Sequence, residues 1–323
     1  MAVDTGQQMQ QLYQRFGELP GVVIELHKEL LAVHIQNDAA TATVFLQGAQ
    51  LSQYQAKGQP ASIWCSDSCD YKAGSPLRGG IPICWPWFGD FDRNPKTVQA
   101  SVPHTQDHVP SAHGFVRNQD WLLEDIKIID DHCSVLTLSL VLAAGEHPYW
   151  PHATRLEAEF TISTELTVAF TVHNLSEQTV HFTNALHTYL SVGDIHHTQV
   201  SGLDDCRYLD CLDDWQAHQQ KGDLRFNGET DRIYDGAADP IVISQKEKPI
   251  IEIHSTGSRS TVVWNPWIDK AERLSQFDSQ DYLSMLCVET ANIGDDAVEL
   301  APQQSHKLVL NINNALAIQD KDT

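Results

Sequence analysis

Residues 155–172 read RLEAEFTISTELTVAFTV. In the first half Leu156, Ala158, Phe160 and Ile162 alternate with charged or polar neighbours, and in the second Leu166, Val168, Phe170 and Val172 resume the alternation. A period of two sends one set of side chains to one face of an extended chain, and Thr164-Glu165 offers a short turn between the halves. The stretch therefore predicts an antiparallel hairpin with one apolar and one wet face.

The pattern continues on both sides. Leu136, Leu138, Leu140 and Leu142 alternate with Thr, Ser or Val, and further extended runs occupy 42–46, 180–186, 241–243, 250–254, 261–264 and 307–312, separated by Gly, Pro, Asn and Asp. Many short strands without regular intervening helices predict an all-β chain, a large antiparallel β-sandwich. Helical signals are few. Leu12, Phe16 and Leu19 recur at three- and four-residue steps within 7–19, which ends at Pro20-Gly21, and 267–275 can add one short helix. No repeat, low-complexity tract or linker marks a boundary. The expected organisation is a short N-terminal helical extension over 1–20, a single β-sandwich catalytic domain over 21–316 and a polar tail over 317–323.

Charge narrows the function classes. The 323 residues include 43 acidic and 21 basic side chains, a formal charge of −22. Binding a polyanion through counterion release needs a basic face, so neither a nucleic acid nor an anionic membrane is an expected partner. The amino terminus lacks the basic and apolar regions of a secretory signal, and no apolar run approaches the roughly 18 to 20 residues of a membrane span. Seven cysteines, odd in number and thinly spread, read as reduced thiols. A cytoplasmic monomer is expected.

Four segments carry candidate chemistry. PLRGGIPICWPWFGD (76–90) combines Arg78 with Gly79 and Gly80, which allow positive φ or close approach to a ligand, and with Trp85, Trp87 and Phe88, whose rings either stack on a sugar or fill a buried turn. SAHGFVRNQDW (111–121) sets His113 and Arg117 around Gly114; the guanidinium fork suits a carboxylate or phosphate, or closes a surface loop on Asp120. In NALHTYLSVGDI (184–195) His187 lies in an apolar stretch, as a satisfied core residue or as a catalyst. In DYLSMLCVETANI (281–293) Glu289 follows the apolar run Met285 to Val288, where a carboxylate is costly unless it is paired or functional. His187 and Glu289 together can serve as acid and base.

Metal and nucleotide chemistry have weaker support. His104, His108 and His113 are close in sequence, but Pro103 and Pro110 break any helix that would align them, and HEXXH is absent. Cys65 with Cys69 and Cys206 with Cys211 have three and four intervening residues, not the two of a CxxC site. GxGxxG, Walker and GxSxG motifs are also absent. No metal and no cofactor are expected.

Taken in order, these four segments together with GETDRIY (228–234) and VVWNPWIDKAERL (262–274) resemble the hexose-6-phosphate 1-epimerases, the phosphosugar branch of the galactose-mutarotase-like superfamily. The resemblance spans roughly residues 20 to 315. It implies a galactose-mutarotase-like supersandwich, a cofactor-independent isomerase and a hexose 6-phosphate substrate. By this similarity His187 is the catalytic histidine and Glu289 the catalytic carboxylate; Arg78, Arg117 and Asp231 bind substrate, and His113 lines the same pocket. Ala112 stands where some relatives carry a polar amide, and Leu190 where some carry Phe. Epimerisation at C1 needs ring opening, rotation and closure, hence only proton transfers. The expected assignment has ionised Glu289 take the O1 proton while protonated His187 delivers one to the ring oxygen.

Overall fold

The hairpin predicted over 155–172 forms as strands Thr154–Ile162 and Leu166–Asn174, paired from Thr154 opposite Asn174 to Ile162 opposite Leu166. The connection is therefore three residues, 163–165, one longer than the turn expected. Its eight alternating apolar side chains are fully buried, and Arg155, Glu157 and Glu159 on the other face are half-buried. The computed structural model describes residues 5–103 and 110–315; His104, His108 and the tail expected over 317–323 lie outside the described residues.

This hairpin sits in a nine-stranded antiparallel sheet, between Ser305–Asn314 on one side and Cys133–Leu142 on the other. An eight-stranded antiparallel sheet runs in the order Gln216–Gln219, Arg207–Asp210, Thr230–Asp235, Ser260–Asn265, Met285–Asn292, Asn184–Leu186 and Ile83–Cys84, with Tyr189–Ser191 also pairing to Met285–Asn292. Strands Val22–His27, Leu30–Gln36, Ala40–Phe45 and Gln50–Ala56 form a four-stranded meander. Phe170 and Leu310 from the first sheet, Leu286 and Val288 from the second, and Val33 and Val44 from the meander belong to one buried cluster. Removing this apolar surface from water is the main favourable term holding the sheets together.

Local details differ from the sequence reading. The helix runs Thr5–Phe16 and stops at Gly17, three residues short of the expected end; its Leu12 and Phe16 join the main cluster. The run 180–186 is two strands. Val180–Phe182 pairs with Val298–Leu300, whereas Asn184–Leu186 enters the eight-stranded sheet. Thr183 divides them, accepting the Phe88 N–H at 2.8 Å and donating to Asn94 Oδ1 at 2.5 Å. The helix expected over 267–275 is confined to Trp267–Ala271, and a further one, not expected, forms at Lys96–Ser101. Among the described residues no helix is long and apolar enough to cross a membrane.

Candidate active site

On a second face of the eight-stranded sheet Cys84, Ala185, Ile233, Val262 and Ala291 form a smaller cluster. Directly paired residues of antiparallel strands project to the same side. Glu289 lies opposite Val262 and so shares this face. The neighbouring row runs Asp231, Trp264, Cys287 and Tyr189, each opposite the next. His187 comes just after Asn184–Leu186, anchored by its N–H to the Pro82 carbonyl at 2.9 Å. Its ring stacks on Tyr189 at 4.9 Å and 10° and meets the edge of Trp264 at 6.2 Å.

Register thus brings His187 and Glu289 together, Nδ1 to Oε1, at 3.5 Å. Glu289 is 1% exposed and its Oε2 has no hydrogen-bond partner; His187 Nδ1 has none either. Burial, reinforced by the Asp231 carboxylate, pushes the Glu289 carboxyl well above its ordinary range. Burial, reinforced by the positive charges of Arg117 and Arg78, lowers His187 to about 3. Both shifts favour the uncharged forms, a protonated carboxyl and a neutral imidazole. The ionised carboxylate and imidazolium expected from the sequence run against these shifts, because a low-dielectric site disfavours charge on both groups.

Arg78, His113 and Arg117 come from outside the strands. Arg78 is half-buried, its Nε donating to the Ser275 carbonyl at 3.4 Å. His113 adopts φ 64°, a strained conformation for a non-glycine residue, and Gly114 follows at φ 69° with its Cα so near the Trp85 carbonyl that a Cβ would lie 1.9 Å from the oxygen. That packing turns the His113 ring to 5.4 Å from His187, while its Nδ1 accepts the Gly89 N–H at 3.3 Å. Arg117 does not pair with Asp120; Nη2 donates to the Ala112 carbonyl at 2.9 Å, and its buried Nε has no partner. Among the described residues neither Arg78 nor Arg117 forms an ion pair with a carboxylate. Asp231 is 3.9 Å from Lys270 Nζ, and burial raises its pKa.

Of the aromatic residues in 76–90, Trp85 and Trp87 are fully buried core residues and offer no face to a ligand. Phe88 alone faces the site, at 4.8 Å from His113 and 6.4 Å from His187. Tyr189, Trp264 and Cys287 were not singled out as site residues in the sequence. Tyr189 had a local signal, standing two residues beyond His187 on the same alternating face; Trp264 and Cys287 are recruited only by long-range register. His187, Cys287 and Glu289 also form the one group among the described residues whose nitrogen, sulfur and oxygen donors lie within 4.8 Å of one another. A cation there would compete with protons on a thiol and a carboxyl that burial pushes well up.

Comparison with known proteins follows this geometry. Residues 32–313 match the family model described as aldose 1-epimerase. A protein of Escherichia coli K12 named "Putative glucose-6-phosphate 1-epimerase" is 32% identical over 265 residues, 81% of this chain and 83% of its own length. A protein of the same name from Cenchrus ciliaris is 29% identical over 262 residues, 78% of this chain and 75% of its own. Among solved structures, a "putative mutarotase" from Salmonella typhimurium is 28% identical with a TM-score of 0.80, covering 92% of this chain and 94% of that one. A galactose mutarotase-like protein from Lactobacillus casei, 15% identical with a TM-score of 0.65 over 87% of this chain and 99% of that one, shares the fold.

Proposed function

The chain belongs to the aldose 1-epimerase family and is an isomerase of the mutarotase kind, and we propose that it interconverts the α and β anomers of hexose 6-phosphates with His187 and Glu289 as its acid and base. The observation that carries this reading is a buried acid/base pair at 3.5 Å in the field of two guanidinium groups, Arg78 and Arg117, that have no carboxylate partner among the described residues. The relatives' names support a phosphosugar over a free sugar.

Arg78 and Arg117 bind the 6-phosphate, whose dianion matches their planar forks. Phosphate binding has a second consequence. The guanidinium charges that disfavour an imidazolium are neutralised by the dianion, so a proton passes more readily from the Glu289 carboxyl to His187. In that form Glu289 removes the O1 proton, His187 protonates the ring oxygen, and the pyranose opens to the aldehyde. Rotation about C1–C2 presents the other carbonyl face, and the same groups act in reverse on closure. Because the His113 Nδ1 lone pair is occupied by the Gly89 N–H, its Nε2–H is the free donor toward a substrate oxygen. Asp231 accepts from ring hydroxyls.

Anomer exchange, followed by NMR on glucose 6-phosphate and on glucose at equal concentration, tests the proposal. Acceleration confined largely to the phosphorylated sugar is expected. Equal acceleration of both would assign the chain to free aldoses, and none would leave the site a sugar-binding surface.

A further inference from the structure

Directly behind Arg78 lies a pair of thiols that the proposed chemistry does not use. The Cys65 and Cys69 sulfurs are 3.9 Å apart, although the spacing is not that of a CxxC motif. Both touch the Arg78 backbone. Its N–H donates to Cys69 Sγ at 3.3 Å, and its carbonyl accepts from Cys69 Sγ at 3.4 Å or Cys65 Sγ at 3.6 Å and from the Ser66 N–H at 2.9 Å. Gly79 packs equally close, since a Cβ there would lie 2.4 Å from Cys65 Cα. The Cys65–Cys69 turn is therefore the seat on which Arg78 rests.

We propose that this dithiol is an oxidation site, converted by hydrogen peroxide to an intrachain disulfide, and that the modification weakens anion binding by Arg78. Three observations support it. The sulfurs need to close only from 3.9 Å to about 2.0 Å; Cys65 is held by an isolated bridge to Gly79, but residues 66–68 and Cys69 carry no strand pairing that would resist movement of the Cys69 side. Cys65 is partly exposed, which admits a small oxidant to an otherwise covered pair; Cys69 is 2% exposed. Hydrogen bonding from the Cys65 thiol and the Arg78 N–H lowers the Cys69 pKa, so a nucleophilic thiolate is favoured at that sulfur.

The Cys69 thiolate attacks a peroxide oxygen and the O–O bond breaks, leaving a sulfenic acid and hydroxide. Cys65 sulfur then attacks the sulfenic sulfur, forming the S–S bond and expelling the second hydroxide. The two thiol protons convert both hydroxides to water, so the dithiol loses two electrons and one peroxide becomes two waters. A disulfide has no S–H to donate, and its sulfurs are drawn toward each other and away from the Arg78 amide. The guanidinium then loses its fixed position. The effect on binding rests on the reading of Arg78 as a phosphate ligand; the oxidation itself does not.

The test treats the full-length protein with stoichiometric hydrogen peroxide, alkylates the remaining thiols and maps cysteine-containing peptides by mass. The expected product is a Cys65–Cys69 peptide lighter by two hydrogens. KM for glucose 6-phosphate should rise about threefold to tenfold, the size of one ordinary hydrogen bond, with kcat changed much less, and dithiothreitol should reverse both changes. Cys65→Ser and Cys65→Ala should each abolish the loss of two hydrogens and leave Cys69 as a sulfenic acid that dimedone traps, while Cys133→Ser still forms the disulfide. Oxidation of other cysteines with 65 and 69 left as thiols would overturn the proposal, as would a quantitative disulfide with unchanged KM. Should the reduced protein show no anomer exchange, the functional reading fails separately; affinity for inorganic phosphate, measured by calorimetry before and after oxidation, then decides the inference, and an unchanged value overturns it.

Discussion

His187 Nδ1 and Glu289 Oε1 stand 3.5 Å apart in a site where the remaining carboxylate oxygen has no partner and the carboxyl is 1% exposed. Such an arrangement favours proton transfer at the expense of stability. Glu289 has a folded pKa raised above its ordinary 4.5. Its stabilising share is therefore complete below that value and is lost as pH rises through the folded pKa. Glu289→Gln is expected to lower the anomer-exchange rate by about 10²- to 10⁴-fold and yet to melt at a higher temperature than the native protein at pH 8. The two melting temperatures should converge near pH 4. A Gln variant that is less stable at both pH values would mean that the carboxyl is satisfied in the fold.

Arg78 and Arg117 separate substrate charge from sugar recognition. A hydrogen bond to a charged group is worth about 1.5 to 3 kcal/mol, so Arg78→Ala and Arg117→Ala should each raise KM for glucose 6-phosphate roughly 10- to 100-fold. Exchange of free glucose should change by less than about threefold, because no phosphate contact is lost. Equal losses on both sugars would remove these residues from phosphate binding.

How much of this was readable in advance depends on the range of the interaction. The hairpin over 155–172 was legible because period-two alternation is local, and Glu289 stood out because a carboxylate ending an apolar run is locally anomalous. The split at Thr183 was not legible. It is made by hydrogen bonds to Phe88 and Asn94, about 90 residues away in the chain. Trp264 and Cys287 joined the site only through the register of three strands. The protonation of the acid/base pair followed from burial and from two loop arginines, none of which residue type or spacing encodes. Likewise, the Cys65–Cys69 spacing argued against a thiol pair until the turn around the Arg78 backbone brought the sulfurs together.

Asp231 provides a handle on the proton held by the pair. Its carboxylate contributes to raising the Glu289 pKa, so Asp231→Asn should move the alkaline limb of the kcat/KM profile to lower pH. With His187 lowered to about 3, its imidazole takes up a proton only in that region. After correction for the substrate's phosphate ionisation, kcat/KM should therefore stay level from neutrality down to about pH 5. An acid limb near 6.5 that disappears in His187→Asn would show instead that the imidazole is solvated.

Gly114 tests the loop that presents His113 and Arg117. Both Gly114 and Gly58 have positive φ, 69° and 76°, but a Cβ at Gly114 would lie 1.9 Å from the Trp85 carbonyl oxygen whereas one at Gly58 meets nothing within 4 Å. Gly58→Ala therefore carries only the backbone term, about 1 kcal/mol. Gly114→Ala adds a backbone collision next to a histidine already held at φ 64°, and should cost more than about 2 kcal/mol. Urea midpoints should fall in that order with unchanged m-values. Displacing this loop also shifts the His113 donor and the Arg117 fork, so at a temperature where Gly114→Ala remains folded its KM for glucose 6-phosphate should rise. Equal midpoints for the two variants would mean that Gly114 relaxes away from Trp85, and the loop would then not be fixed by that contact.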